Sequence, residues 1–160
     1  MPKDMIKVRD VTQKDIPGMA KLWLEMMDYH IKIDPFFYSQ DKNTVQSYKK
    51  FLNKEIKDKN SKYIIAEINK TIIGHIGGRI EDRPPDLAIK KNGFILEATV
   101  TKKYRKKGIG KKLTNELLKW FKSKKMKFVM LRTHSKNTSS IKAWEKIGFK
   151  ENLKLMIKKI

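Results

Sequence analysis

Arg105-Lys106-Lys107-Gly108-Ile109-Gly110-Lys111-Lys112 joins the end of a β-patterned run to the start of an amphipathic helix, and the chemistry of this turn decides the fold. Two glycines let the backbone turn tightly and leave its amides open to a ligand. The first-turn N–H groups of a helix lack internal partners and sit at the positive end of its dipole, so they bind phosphate. The flanking cations add to that preference. The spacing is neither the Gly-x-Gly-x-x-Gly of a dinucleotide fold nor the Gly-x-x-x-x-Gly-Lys-Ser/Thr of a P-loop. A lone Gly-x-Gly can also mark a plain helix start, so its surroundings must decide.

Downstream, Ile109, Leu113, Leu117, Trp120 and Phe121 recur on one face and predict a helix from Gly108 to about Lys124. Phe128-Val129-Met130-Leu131 reads as a short buried strand, Thr138 to Lys146 as a helix ending at Gly148, and Leu153 to Lys159 as a last strand. Upstream, Gly93 to Val100 reads as a strand, preceded by the loop Glu81 to Asp86. Tyr63 to Ile68 and Thr71 to Ile80, joined at Asn69-Lys70, read as an antiparallel hairpin whose glycines mark a bulge or close backbone approach. At the front, Met5 to Arg9 alternates as a first strand, and Thr12-Gln13-Lys14-Asp15 resembles a capping box. Ile16, Met19, Ala20, Trp23, Met26 and Met27 predict a helix to about Asp28. An aromatic loop from Tyr29 to Tyr38 leads to a second helix with Val45, Tyr48, Leu52 and Ile56 inside. The order βααβββαβαβ predicts a mixed α/β sheet with helices on both faces.

The turn resembles the (Arg/Gln)-x-x-Gly-x-(Gly/Ala) signature of the GCN5-related N-acetyltransferase family, GNAT, and follows a strand ending in valine as that signature usually does. The resemblance extends to Asn137-Thr138-Ser139-Ser140-Ile141-Lys142-Ala143-Trp144-Glu145-Lys146-Ile147-Gly148-Phe149, 27 residues after Gly110, which is similar to that family's Asn-x-x-Ala-x-x-x-Tyr-x-x-x-Gly-Phe segment. Residues 63–159 match well and residues 1–62 match in layout. The resemblance implies one acetyltransferase domain over 1–160, with acceptor-side helices in 1–62 and an acetyl-CoA-binding core in 63–160. It also implies a mostly antiparallel sheet with helices on both faces and a splayed parallel strand pair, 93–100 beside 126–133, at the cofactor site.

Acetyl-CoA would lie in that gap and pass its acetyl group directly to an amine. The backbone near Thr99, Val100 and Thr101 would bind the pantetheine, with Val100 as the oxyanion donor. The turn Arg105, Lys106, Lys107, Gly108, Ile109, Gly110 and Lys111 would hold the pyrophosphate. Asn137 would reach the pantetheine, and the helix carrying Ser140 and Trp144 would flank it. Glu97 is the candidate base, or a group that orients the amine; a surface carboxylate paired with lysine is the alternative. Trp144 stands where the family usually has a tyrosine that protonates the departing thiolate. Indole cannot act as that acid, so Trp144 is expected to bind, and the acid is unassigned; His134 is a substitute candidate, with a solvated loop histidine as the plainer reading. Trp23, Tyr29, His30, Phe36 and Phe37 are expected to line the acceptor side, with Glu25, Asp28 and Asp34 available to an ammonium. His75 reads as a satisfied core or sheet residue rather than a ligand.

The charge is 38 − 17 = +21, from 33 Lys and five Arg against 17 acidic residues. Such a field concentrates polyanions, but base readout and bidentate phosphate clamps favour Arg over Lys. A solvated lysine surface is the plainer reading, and nucleic acid is not the expected partner. A basic module for nucleic acid or ribosomal surfaces, keeping the fold without turnover, is the competing function; its affinity would fall steeply with salt. Zero cysteines exclude disulfides, thiolate metal sites and a cysteinyl acyl-enzyme, and no His/Asp/Glu grouping has metal-site spacing. No apolar run approaches the ~20 residues of a membrane span. Met1 to Met5 lacks the apolar start of a secretory signal, which points to the cytosol. The acceptor is a small-molecule or protein amine, and pairing as a homodimer is compatible with the sequence.

Overall fold

The structure, a computed structural model, describes residues 5–160; the Met1 to Asp4 part of the secretory-signal reading lies outside them. The elements in chain order are β1 (Lys7–Asp10), α1 (Ile16–Ile33), α2 (Thr44–Glu55), β2 (Ser61–Ile68), β3 (Thr71–Asp82), β4 (Lys91–Val100), α3 (Ile109–Ser123), β5 (Val129–Leu131) and α4 (Thr138–Ile147). The sheet order is β1-β2-β3-β4-β5. The first four strands pair antiparallel, and β4 and β5 run parallel. Among the described residues no helix is long and apolar enough to cross a membrane.

The middle of the sheet is buried on both faces, which is why β2 and β3 read as apolar runs rather than clean alternations. Ile64, Ala66 and Ile68 of β2 meet Ile109, Leu113, Leu117 and Phe121 of α3. The intervening Tyr63 and Ile65 point the other way, onto Ile16, Met19 and Ala20 of α1 and Tyr48 and Leu52 of α2. Each fully buried aliphatic or aromatic side chain contributes roughly 1.5–3 kcal/mol. The α3 contact needs glycine beneath it: a Cβ on Gly93 would lie 2.6 Å from the Phe121 ring. Asn69 and Lys70, at φ 48° and 64°, form the two-residue hairpin turn whose left-handed geometry suits twisted strands.

Asp15 closes the front of the chain. Its carboxylate accepts from the Thr12 backbone N–H at 2.7 Å and the Thr12 hydroxyl at 2.9 Å, the capping-box arrangement expected from the sequence. Two Arg9 N–H groups donate to it at 2.8 Å each, and Arg9 also reaches Glu67. The Arg9 hydrogen bonds hold the Asp15 carboxyl down at about 2, against the opposing effect of burial.

Three expectations need correction. α1 runs to Ile33 rather than Asp28, so Tyr29 and His30 are helical, and His30 Nδ1–H donates to the Met26 carbonyl at 2.8 Å. β5 is three residues long. Residues 150–160 form no strand and are exposed throughout. Their alternation is strand-like, but a strand also needs a neighbouring backbone, and among the described residues no strand pairs with this segment.

Candidate active site

β4 and β5 pair at Gly93–Val129, Phe94–Met130 and Ile95–Leu131 and then part, while β4 continues to Val100. This is the splay expected from the sequence. On the other edge of β4, Gly78 faces Ile95 and Gly77 faces Glu97, so Leu96 is an extra residue in a bulge. A bulge re-aims the groups that follow it. Before it, the Gly93 N–H points to β5 and donates to the Phe128 carbonyl at 3.0 Å; after it, the Thr101 N–H points to β3 and donates to the Ile73 carbonyl at 2.9 Å. Alternation therefore turns the Val100 N–H into the open gap and the Thr99 N–H toward β3. Of Thr99, Val100 and Thr101, only Val100 offers its N–H to the gap, a correction to the expectation for the two threonines.

The glycine turn adjoins this gap. Gly108 caps α3 at φ +80°, a backbone conformation glycine adopts without strain. Lys112 N–H is bonded to the Gly108 carbonyl, so helix geometry leaves the amides of Ile109, Gly110 and Lys111 without an intrahelical acceptor. A Cβ on Gly108 would meet nothing within 4 Å, and one on Gly110 only Val100 Cγ2 at 4.0 Å. Open amides, space above them and surrounding Lys side chains fit a pyrophosphate. The turn is anchored from α1: Glu25 accepts from Lys102 N–H at 2.8 Å and from the Thr101 hydroxyl at 2.9 Å, and lies 3.4 Å from Arg105. Arg105 Nε–H donates to the Val100 carbonyl at 2.8 Å, tying turn to gap.

Glu97 is nearly buried, and its partners are not lysines. Oε1 accepts from the Tyr48 hydroxyl at 2.6 Å and lies 3.2 Å from His75 Nε2. His75 is fully buried and its Nδ1 has no partner. A proton on Nε2 serves both observations, because it donates to Glu97 and leaves Nδ1 with a lone pair rather than a stranded N–H. His75 is the core residue expected, satisfied at Nε2 through Glu97 and left without a partner at Nδ1. Burial first, and the Glu97 charge second, push the Tyr48 hydroxyl far above its ordinary range, so it remains a donor. Trp23 stacks on Tyr48 with ring centroids 4.4 Å apart, which places α1 and α2 over the carboxylate. Sequence reasoning took Tyr48 for core; the missed signal was a phenol on the inner face of a helix, whose hydroxyl needs a partner when buried.

The remaining candidates divide. Asn137 is buried and its Oδ1 accepts from Ser140 N–H at 3.3 Å, capping α4, so only its amide nitrogen remains for a ligand. Trp144 is half-buried and meets Phe149 edge-on at 5.4 Å. His134 is not a free acid: Nε2 is bonded to Asp34 at 2.9 Å, and Nδ1 accepts from Lys136 N–H at 3.1 Å. Asp34 also accepts from the Phe36 and Phe37 amides, and Asp28 accepts from Gln40. With Glu25 committed to the turn, the three carboxylates expected to await an ammonium are already engaged. Phe36 and Phe37 lie exposed on the loop that Asp34 and His134 pin to the end of β5, with Tyr29 and His30 beside it. No group of three or more metal-ligating side chains exists among the described residues.

Comparison with known proteins places this geometry. The N-alpha-acetyltransferase of Sulfurisphaera tokodaii is 28% identical over 106 residues, covering 63% of this chain and 64% of that one. The chain thus spans less than two thirds of that relative's length. A mutant of the BH1408 protein from Bacillus halodurans superposes with TM-score 0.88 at 15% identity, covering 96% of this chain and 99% of that one. The aminoglycoside N-acetyltransferase AAC(6')-Iy in complex with CoA gives TM-score 0.78 at 16% identity, covering 100% and 98%. The model of the acetyltransferase (GNAT) family matches residues 23–149, and the chain belongs to that family.

Proposed function

We propose that the chain moves an acetyl group from acetyl-CoA to a primary amine, directly, with both substrates bound. What supports this is the bulge in β4, after which alternation turns the Val100 N–H toward the splayed gap, three residues from Glu97, whose buried carboxylate accepts from the Tyr48 hydroxyl. Acetyl-CoA supplies an activated acyl carbon and a thiolate leaving group. Residues 105–111 hold its pyrophosphate on open amides and cations, while Asn137, Ser140 and Trp144 flank the pantetheine. Val100 N–H donates to the carbonyl oxygen as negative charge grows there, which lowers the barrier because the donor is fixed in advance. Glu97, with Oε1 held by Tyr48 and His75, takes the ammonium proton at Oε2 and frees the amine lone pair. Trp144 stands in the place of the tyrosine acid and indole cannot protonate the thiolate, so in this reading the thiolate leaves stabilised by amides and lysines.

The acceptor in this reading carries one ammonium beside an apolar or aromatic body. Trp23 and Tyr48 cover Glu97, and Tyr29, His30, Phe36 and Phe37 lie along the approach. A polycation such as an aminoglycoside would bring several ammonium groups to a side whose carboxylates are engaged, in a chain of net charge +21. Thiolate release from acetyl-CoA, measured with monoamines, peptide N-termini and aminoglycosides, tests this. Turnover is expected with the first two classes and loss of roughly 10²-fold in Glu97→Gln. Faster turnover of aminoglycosides would overturn the acceptor class, and no turnover of any amine would overturn the reaction.

A further inference from the structure

We infer that Asp34 and His134 are a positioning pair, through which a cofactor bound beside α4 stabilises the loop that presents Phe36 and Phe37 to the acceptor. The inference rests on the reading of Asn137 as a pantetheine contact.

His134 reaches both sides of the site. Its Nδ1 accepts from the Lys136 N–H at 3.1 Å, and its carbonyl accepts from the Asn137 N–H at 2.8 Å. These two bonds wind residues 134–137 into the turn that sets Asn137 as the cap of α4. With Nδ1 used as an acceptor, the proton sits on Nε2, which donates to Asp34 Oδ2 at 2.9 Å across 100 residues of sequence.

Asp34 organises the loop from its own end. Its N–H donates to the His30 carbonyl at the end of α1, and its carbonyl accepts from the Phe37 and Tyr38 N–H groups at 3.2 and 3.0 Å. Oδ1 accepts from the Phe36 and Phe37 N–H groups, which leaves Oδ2 to His134, with the Lys136 ammonium 3.8 Å away. The imidazole also lies 5.6 Å from the Tyr38 ring. The paired side chains are 14% and 15% exposed, so their charge-assisted bond is shielded from water. Phe36 and Phe37, by contrast, are 63% and 48% exposed, so little burial holds the loop. A segment held by a few polar contacts opens at low free energy. A ligand that fixes Asn137 orders residues 134–137 and, through the imidazole, the loop. Coupling of this kind is reciprocal, so an acceptor on the loop tightens the cofactor in turn.

Hydrogen exchange of residues 34–38, followed by mass spectrometry with and without saturating CoA, tests the pair. In the parent, CoA should slow exchange of these amides about tenfold. His134→Asn keeps an acceptor for the Lys136 N–H, because an asparagine side chain bonds the backbone two residues on, but it loses the reach to Asp34. There the slowing should vanish while calorimetry still finds CoA bound within a few-fold of the parent. His134→Gln keeps a donor within reach of Asp34 and should retain the slowing. CoA bound to the parent with no change in loop exchange, a full response in His134→Asn, or its loss in His134→Gln would each overturn the coupling and leave the acetyl-transfer reading standing. A parent that binds no CoA would overturn that reading and the coupling together.

Discussion

The Tyr48 hydroxyl donates to Glu97 Oε1 at 2.6 Å, joining α2 to β4 across 49 residues of sequence. A hydrogen bond to an ionised acceptor contributes about 1.5–3 kcal/mol. Tyr48→Phe keeps the ring stacked on Trp23 and removes only that donor. The expected result is a loss of about 2 kcal/mol in urea unfolding and a fall in kcat of about tenfold, with acetyl-CoA affinity unchanged. Wild-type kcat in a destabilised variant would reduce Tyr48 to a structural residue.

Glu97→Gln is nearly isosteric and keeps its place between Tyr48 and His75. A fall of about 10²-fold in kcat, with little change in the calorimetric Kd for acetyl-CoA, is expected. An unchanged rate would move the base elsewhere.

Gly110→Glu and Gly108→Ala should separate binding from folding. Space above Gly110 lets the fold survive, while a carboxylate there repels pyrophosphate; acetyl-CoA binding should disappear with the melting temperature retained. Gly108 sits at φ +80°, where a Cβ costs about 1 kcal/mol. Its alanine variant should lose stability and keep most of its affinity.

Asp15 gives the chain an acid-sensitive clamp. Its carboxyl lies at about 2 in the folded protein, mainly through Arg9, against 3.8 when free. A depressed carboxyl stabilises the fold above its unfolded value, and that contribution is lost as pH falls through the folded one. Asp15→Asn should therefore cost about 2 kcal/mol at neutral pH. The difference from the parent should shrink as pH falls from about 4 toward about 2, as read from urea melts along a pH series.

Glu25→Gln loosens the link between α1 and the phosphate turn. Lys102 N–H and Arg105 lose a charged partner. The KM for acetyl-CoA should rise several-fold with kcat nearly unchanged; a selective loss of kcat would instead tie Glu25 to the chemistry.

The sequence alone determined the glycine turn, the strand before it and the helix after it, because each depends on local backbone freedom or on a period of 2 or 3.6 within a few residues; at the hairpin glycines it left a bulge and a close backbone approach both open. It also singled out Glu97 and Val100. What surrounds them was decided by tertiary structure. Tyr48 and His75 reach one carboxylate only after α2 docks and β3 pairs with β4, and no local pattern encodes a contact across 49 residues. Glu25, Asp34 and His134 read as free functional groups until folding supplied their partners, since a titratable side chain's role depends on what desolvates and bonds it. The C-terminal run shows the same limit from the other side: its alternation reads as a strand, but pairing requires a neighbouring backbone, and residues 151–160 form no strand and stay exposed.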